Sequence, residues 1–312
     1  MMAGSMDGEQ GKGRRIASDP RLLAAIAAGL ASATLALWAF RGLPGGAFAL
    51  WLASLPLFLA GIGFGGFALL AALAVAGLLL LLVGSGLGLG LYLALFGVPA
   101  ALLVLAAGRD RALGLPFTLL GLIPAAGILL AVFLLADAEG GLEGAMREAA
   151  EVGLARMGLP ASENLVAELV RVKAAAIGFW VAMALLVNAA AAGALLVRAG
   201  VIPAAPAWRE ARLPGWYPLL PAIACGFWLT AGEGGDAVTL SLLLVLLVPV
   251  FLHGLAGLHR ATQSLRGRQF VLGGAYMALL LISVPVALGV AGYGLYDILN
   301  GNRARRAAPP RS

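Results

Sequence analysis

GLPGGAFALWLASLPLFLAGIGFGGFALLAALAVAGLLLLLVGSGLGLGLYLALFGVPAALLVLAAG, residues 42–108, runs from Arg41 to Arg109 without one charged side chain in 67 positions. Its only hydroxyls are Ser54, Ser85 and Tyr92. No water-facing surface can be made from such a run, so it belongs in lipid. A helix rises about 1.5 Å per residue and the hydrocarbon layer is about 30 Å thick, so about 20 residues make one crossing. The run therefore holds three crossings joined by very short turns.

The rest of the chain repeats this chemistry. Hydrophobic residues make up 62% and charged residues 12% of the 312 positions, with a mean hydropathy of +0.98. Soluble domains run near about 45–50% apolar and about 25% charged. Inside a bilayer every backbone N–H and C=O must find a partner within the protein, which leaves a helical bundle or a closed barrel. The long unbroken apolar runs lack the alternation of a barrel strand. The fold class is all-α, a polytopic transmembrane helical bundle.

Nine spans are expected: Leu22–Phe40, Leu43–Gly63, Gly66–Gly84, Leu87–Ala107, Leu115–Ala136, Ala174–Val197, Trp216–Ala231, Ala237–Leu258 and Phe270–Tyr296. Trp216–Ala231 is short and carries Pro218 and Pro221, so eight full crossings are the alternative. The chain then reads as a disordered cytoplasmic tail over 1–21, an N-terminal bundle of five spans over 22–136, an extracytoplasmic segment over 137–173, a C-terminal bundle of four spans over 174–298 and a basic tail over 299–312. The first span has no small-residue cleavage site, so it reads as a retained helix and not a cleaved leader.

Lys and Arg in short loops set orientation. With the N-terminus in the cytoplasm, the inner segments hold Lys12, Arg14, Arg15, Arg21, Arg109, Arg111, Arg198, Arg209, Arg212, Arg260, Arg266 and Arg268. The outer segments up to residue 237 hold only Arg41, Arg147, Arg156, Arg171 and Lys173, against nine carboxylates. One feature conflicts: nine spans place Arg303, Arg305, Arg306 and Arg311 outside.

The segment 137–173 is amphipathic. Leu142, Met146, Ala149, Gly153 and Met157 line one helical face, and Glu143 stands four residues before Arg147. Leu159-Pro160-Ala161-Ser162 breaks the chain, with Ser162 placed to cap a second helix that carries Glu168, Arg171 and Lys173 into the sixth span.

Charges inside a bilayer are costly and mark function. None lies within a span except Asp297, read at the end of the last one on the side away from the cytosol. That argues against proton-coupled transport, intramembrane proteolysis and metal-dependent catalysis, so no enzyme activity, cofactor or metal is expected. The basic residues are scattered, with no aromatic-interleaved basic face, so nucleic acid is not an expected partner. The single Cys225 excludes an intrachain disulfide. His253 and His259, six residues apart, point to different helix faces and do not make a joint metal site. Asn188 reads first as an interhelical hydrogen-bond clasp and the histidines as satisfied interface residues; as the alternative, Asn188, Ser241 and Tyr276, with His253, are the polar groups available to orient a small, mostly apolar ligand beneath the 137–173 cap. Glycines at four-residue spacing, Gly42/Gly46, Gly61/Gly65, Gly84/Gly88 and Gly86/Gly90, predict close helix packing. Pro56, Pro99, Pro124 and Pro285 predict kinks.

Arg212-Leu213-Pro214-Gly215-Trp216, Phe251-Leu252-His253-Gly254-Leu255-Ala256 and the closing Gly294, Asp297 and Arg303 resemble the YybS-like family of predicted bacterial membrane proteins, a domain of unknown function. Weaker agreement runs through Asn188 to Leu55-Pro56-Leu57, over most of residues 20–305. The chain departs from the family at His253, where glutamine is usual. The family's N-terminal half is similar in style to the substrate-binding membrane subunits of energy-coupling-factor transporters and to the rod-shape protein MreD. The resemblance implies a bacterial cytoplasmic (inner) membrane protein. Two functions follow as expectations: a small-molecule-binding or transport-related component driven by a membrane protein partner, or a non-catalytic scaffold in envelope or cell-shape assembly. A cavity of about 300 Å³ or more with convergent polar groups distinguishes the binder from the scaffold.

Overall fold

A computed structural model describes residues 19–109, 113–206, 210–232 and 236–307, with side chains as far as 301. The N-terminal tail through residue 18, Arg111, Arg209 and the side chains of Arg303, Arg305, Arg306 and Arg311 lie outside the described residues. Among the described residues every regular element is a helix. In chain order they are α1 (Pro20–Phe40), α2 (Gly46–Leu52), α3 (Leu55–Phe64), α4 (Gly66–Val83), α5 (Gly86–Tyr92), a π-turn (Leu93–Gly97), α6 (Val98–Arg109), α7 (Gly114–Leu134), α8 (Gly141–Arg156), α9 (Glu163–Arg198), α10 (Leu219–Thr230), α11 (Ala237–Ala261), α12 (Arg268–Leu281) and α13 (Ser283–Ala307).

Among the described residues seven stretches are long and apolar enough to cross a membrane: Pro20–Phe40, Gly46–Phe64, Gly66–Val83, Gly86–Arg109, Gly114–Leu134, Glu163–Arg198 and Ala237–Ala261. Gly66–Val83 has a mean hydropathy of 2.8 with only 28% of its residues buried in the protein. A helix that apolar and that uncovered requires apolar surroundings, and Leu82, Leu87 and Phe133, each more than 70% exposed, have the same requirement. This is a membrane protein. The seventh predicted span shrinks to α10, whose 12 residues cover about 18 Å and fall short of the hydrocarbon thickness.

By contact density the chain divides into two compact units, one drawn from residues up to 109 with 183–206, the other from 110–182 with residues from 207 on. In the first, α1 packs along α4, where Gly29 sits 2.5 Å, measured from a Cβ built on it, from the Ala72 carbonyl. The second predicted span is broken between α2 and α3 at Ala53-Ser54. Pro56 causes this, because it has no N–H to offer the Leu52 carbonyl. Side chains compensate. Asn188 Nδ2 donates to the Trp51 carbonyl at 2.6 Å and to Ser54 Oγ at 3.0 Å. Ser32 Oγ donates to the Ala53 carbonyl at 2.6 Å, so the Tyr92 hydroxyl, also 2.6 Å away, donates to Ser32. Ser85, the third hydroxyl of the uncharged run, caps α5 by accepting from the Gly88 N–H at 3.0 Å.

The glycine pairs divide their work differently from the expected packing motif. In the pairs of α2 to α5, Gly46 and Gly61 pack, while Gly42 and Gly65 take left-handed φ of 65° and 91° in turns, and Gly86 and Gly90 meet nothing within 4 Å. A Cβ on Gly88 would lie 3.3 Å from the Phe40 ring, whereas Gly108 faces open space. Gly88→Leu should therefore lower the melting temperature in detergent more than Gly108→Leu; equal losses would remove the packing role of Gly88. Among the expected proline kinks, Pro99 follows the π-turn, which relieves its ring against the Leu95 carbonyl. Pro124, and also Pro249, stay inside continuous helices.

In the second unit the predicted last span is two helices. The chain breaks at Ile282 (φ −127°, ψ 50°), where Pro285 leaves the Leu281 carbonyl without its helical donor and Val284, preceding proline, resists the α conformation. The direction of the chain follows from who meets whom. Leu244 and Leu247 share a cleft with Leu279 and Val284, Gly254 meets Val290, Gly257 meets Tyr293 and Arg260 bonds Asp297. Residue numbers rise together, so α13 runs parallel to α11. Tyr276 lies at His259 and Leu279 near Leu244, so α12 is the antiparallel return leg. The two parallel helices touch backbone to backbone, with Gly294 against the Val250 carbonyl and 2.8 Å, from its built Cβ, to the Gly254 nitrogen. The end of α13 thus lies on the same side as residues 261–268. The backbone of α13, described through residue 307, therefore ends on the side that carries Arg260, Arg266 and Arg268 and not on the side that a single unbroken last span predicts.

Candidate functional site

Helix α8 supplies Glu143 and Arg147; its apolar residues Ala150 and Leu154 bury against Val166 and Val170 of α9. That docking sets the polar first turns of α9 beside the end of α10 and the start of α11. Together they enclose a cleft of about 580 Å³ lined by Glu143, Arg147, Glu168, Arg171, Trp228 and Asp236, with Leu229 and Ala231 as apolar wall. Asp236 is its anchor. Oδ2 accepts Arg171 Nη2 at 2.7 Å and Nε at 3.0 Å, and the Trp228 indole N–H at 3.2 Å. Arg171 beside it holds the Asp236 carboxyl below the usual carboxylate range, so it stays ionised at neutral pH. Arg147, paired with the exposed Glu163 at 2.9 Å, closes another edge.

At the opposite end of α11, a smaller cavity of about 140 Å³ is lined by Arg212, Leu213, His253, Arg260, Asp297, Ile298 and Gly301. Asp297 Oδ2 joins His253 Nε2 at 3.0 Å and Arg260 Nη2 at 2.9 Å. The His253 side chain is 4% exposed. Its Nδ1 reaches no partner at hydrogen-bonding geometry, although the Ala211 backbone lies beside the ring.

The four sequence-derived ligand residues do not converge. Asn188 belongs to the first unit, where its amide is taken up by Trp51 and Ser54. Ser241 is fully buried with its hydroxyl unpaired, and Tyr276 bonds His259 at 2.8 Å. His253 lines the smaller cavity. His253 and His259 have separate partners, and no group of three or more His, Cys, Asp or Glu stands in metal-binding range among the described residues. An unbroken last span would put Asp297 at the end opposite to His253; the break at Ile282 brings the two together. Sequence reading missed Asp236 and Trp228. The available signal is Asp236 itself, a carboxylate directly before an apolar span with Arg171 at the mouth of another.

No protein-family model, curated protein or solved structure matches the chain.

Proposed function

We propose that this chain is a small-molecule-binding or transport-related component of a bacterial cytoplasmic membrane, with its N-terminus inside and its binding site in the cleft beneath α8. One observation carries the reading. The cleft of about 580 Å³ exceeds the roughly 300 Å³ of a small-molecule site and brings charged and aromatic groups together with an apolar wall. A solid bundle serving as a scaffold has no use for such a space. Arg147 and Arg171 suit a carboxylate or another anionic group, Glu143 and Glu168 suit a cation, and Trp228 with Leu229 suits an apolar portion. The sequence places no Asp, Glu, Lys or Arg in the middle of a span, so a membrane protein partner would drive movement. The YybS-like resemblance is compatible with this reading and assigns no activity of its own.

Native mass spectrometry of the purified chain tests it. The expected result is a copurifying small molecule other than lipid, lost in Arg147→Gln combined with Trp228→Leu while the fold survives. Lipid alone on the wild type, together with stoichiometric retention of a protein partner, would favour the scaffold instead.

A further inference from the structure

The smaller cavity, at the end of α11 opposite the cleft, carries a separate assignment. It gathers two guanidinium groups, Arg212 and Arg260, and one buried imidazole around a single carboxylate. Asp297 is already committed to two partners, since its Oδ2 accepts from both His253 and Arg260. Positive charge is therefore in excess by one before His253 is counted. Arg212 makes no ion pair among the described residues, and it is an exposed residue of the cavity lining. His253 is almost fully buried, with its Nε2 on Asp297 and its ring beside the Ala211 backbone, so the imidazole is fixed at the cavity wall. The cavity measures about 140 Å³, many times the roughly 10–15 Å³ that a single water needs on the same measure. Arg266, in the loop after α11, and Arg268, the first residue of α12, strengthen the positive field on this side.

From these features we infer that the cavity bounded by Arg212, His253, Arg260 and Asp297 is a binding site for a phosphate group. Arg212 is the primary contact, because guanidinium matches phosphate oxygens in a bidentate fork. Arg260, fixed by Asp297, supplies field and orientation. Two sources share this chemistry, the headgroup of an anionic phospholipid at the membrane surface and free phosphate or a soluble phosphate ester. Basic pockets between membrane helices bind lipid headgroups in this way. Nothing in this assignment depends on the cleft at the other end of α11.

The test uses the full chain in nanodiscs of zwitterionic phosphatidylcholine. Its melting temperature is followed on adding inorganic phosphate in one arm and on doping with phosphatidylglycerol in the other. Stabilisation by phosphate identifies the free anion and stabilisation by phosphatidylglycerol alone identifies the headgroup; each supports the site. Arg212→Gln, in an exposed loop and outside the Asp297 pairing, should weaken apparent binding about tenfold, as expected for loss of a charge-assisted contact. Arg109→Gln, a basic residue at another helix end, should leave it unchanged. No stabilisation by either anion, or equal loss in Arg212→Gln and Arg109→Gln, would overturn the assignment, the second outcome by showing that the effect is diffuse surface charge.

Discussion

Gly254→Leu should cost the protein about 3 kcal/mol, the upper range for forcing extra methylenes into a packed interior, and should show as the steepest loss of melting temperature among single glycine substitutions. The reason is the parallel contact of α11 and α13. A Cβ on Gly254 would fall on the Val290 carbonyl, which is backbone and has no rotamer to yield, and the reciprocal Gly294 faces the Val250 carbonyl. Separating the helices to make room would also pull Asp297 from His253 and Arg260. Gly273→Leu supplies the control, since that position on α12 meets nothing within 4 Å, and it should stay within about 0.5 kcal/mol. Thermal melts in detergent compare the three proteins. Equal melts for Gly254→Leu and Gly273→Leu would remove the close parallel pair.

Asn188→Leu should cost about 2 kcal/mol through the first unit alone. The amide donates to Trp51 and Ser54 across a helix break in an almost fully buried site. Leucine cannot repair either bond, and unsatisfied buried groups cost about 1–3 kcal/mol, whereas interhelical hydrogen bonds in membranes lie nearer 1–2. A double-mutant cycle with Ser54→Ala measures the coupling. Because the partner here is a helix, stabilisation by any ligand of the cleft should persist in Asn188→Leu. Loss of that stabilisation in a folded variant would return Asn188 to the binding site.

Most of the architecture was legible because apolar length is a strong signal. The boundaries of α4, expected from Gly66 and found from Gly66 to Val83, follow directly from the glycine turns at either end. What was not legible depends on which elements meet. Pro285 announced a kink over Phe270–Tyr296, but a kink and a full reversal have the same local signature, and only the contact of α13 with α11 tells them apart. The glycines misled for a related reason: four-residue spacing reports a face on a continuous helix, and Gly42 and Gly65 lie where the helix has ended. The uncharged run holds three hydroxyls, and all three are engaged in hydrogen bonds within the first unit, so none of them marks a site. The cleft escaped because its residues come from four helices spread over Glu143 to Asp236, each separately ordinary as a solvated charge or an interfacial aromatic.

The account stands on the arrangement of the second unit in the membrane: the cleft at one surface, and the end of α13 with the loop 261–268 at the other. Single cysteines at Glu143, Ser264 and Asn300, in a Cys225→Ser background, test this with a membrane-impermeant thiol reagent on intact spheroplasts. The expected result is labelling of Glu143→Cys in intact cells, with Ser264→Cys and Asn300→Cys labelled only after lysis. Labelling of Asn300→Cys from the same side as Glu143→Cys, with Ser264→Cys on the other, would restore a single unbroken last span and contradict the account.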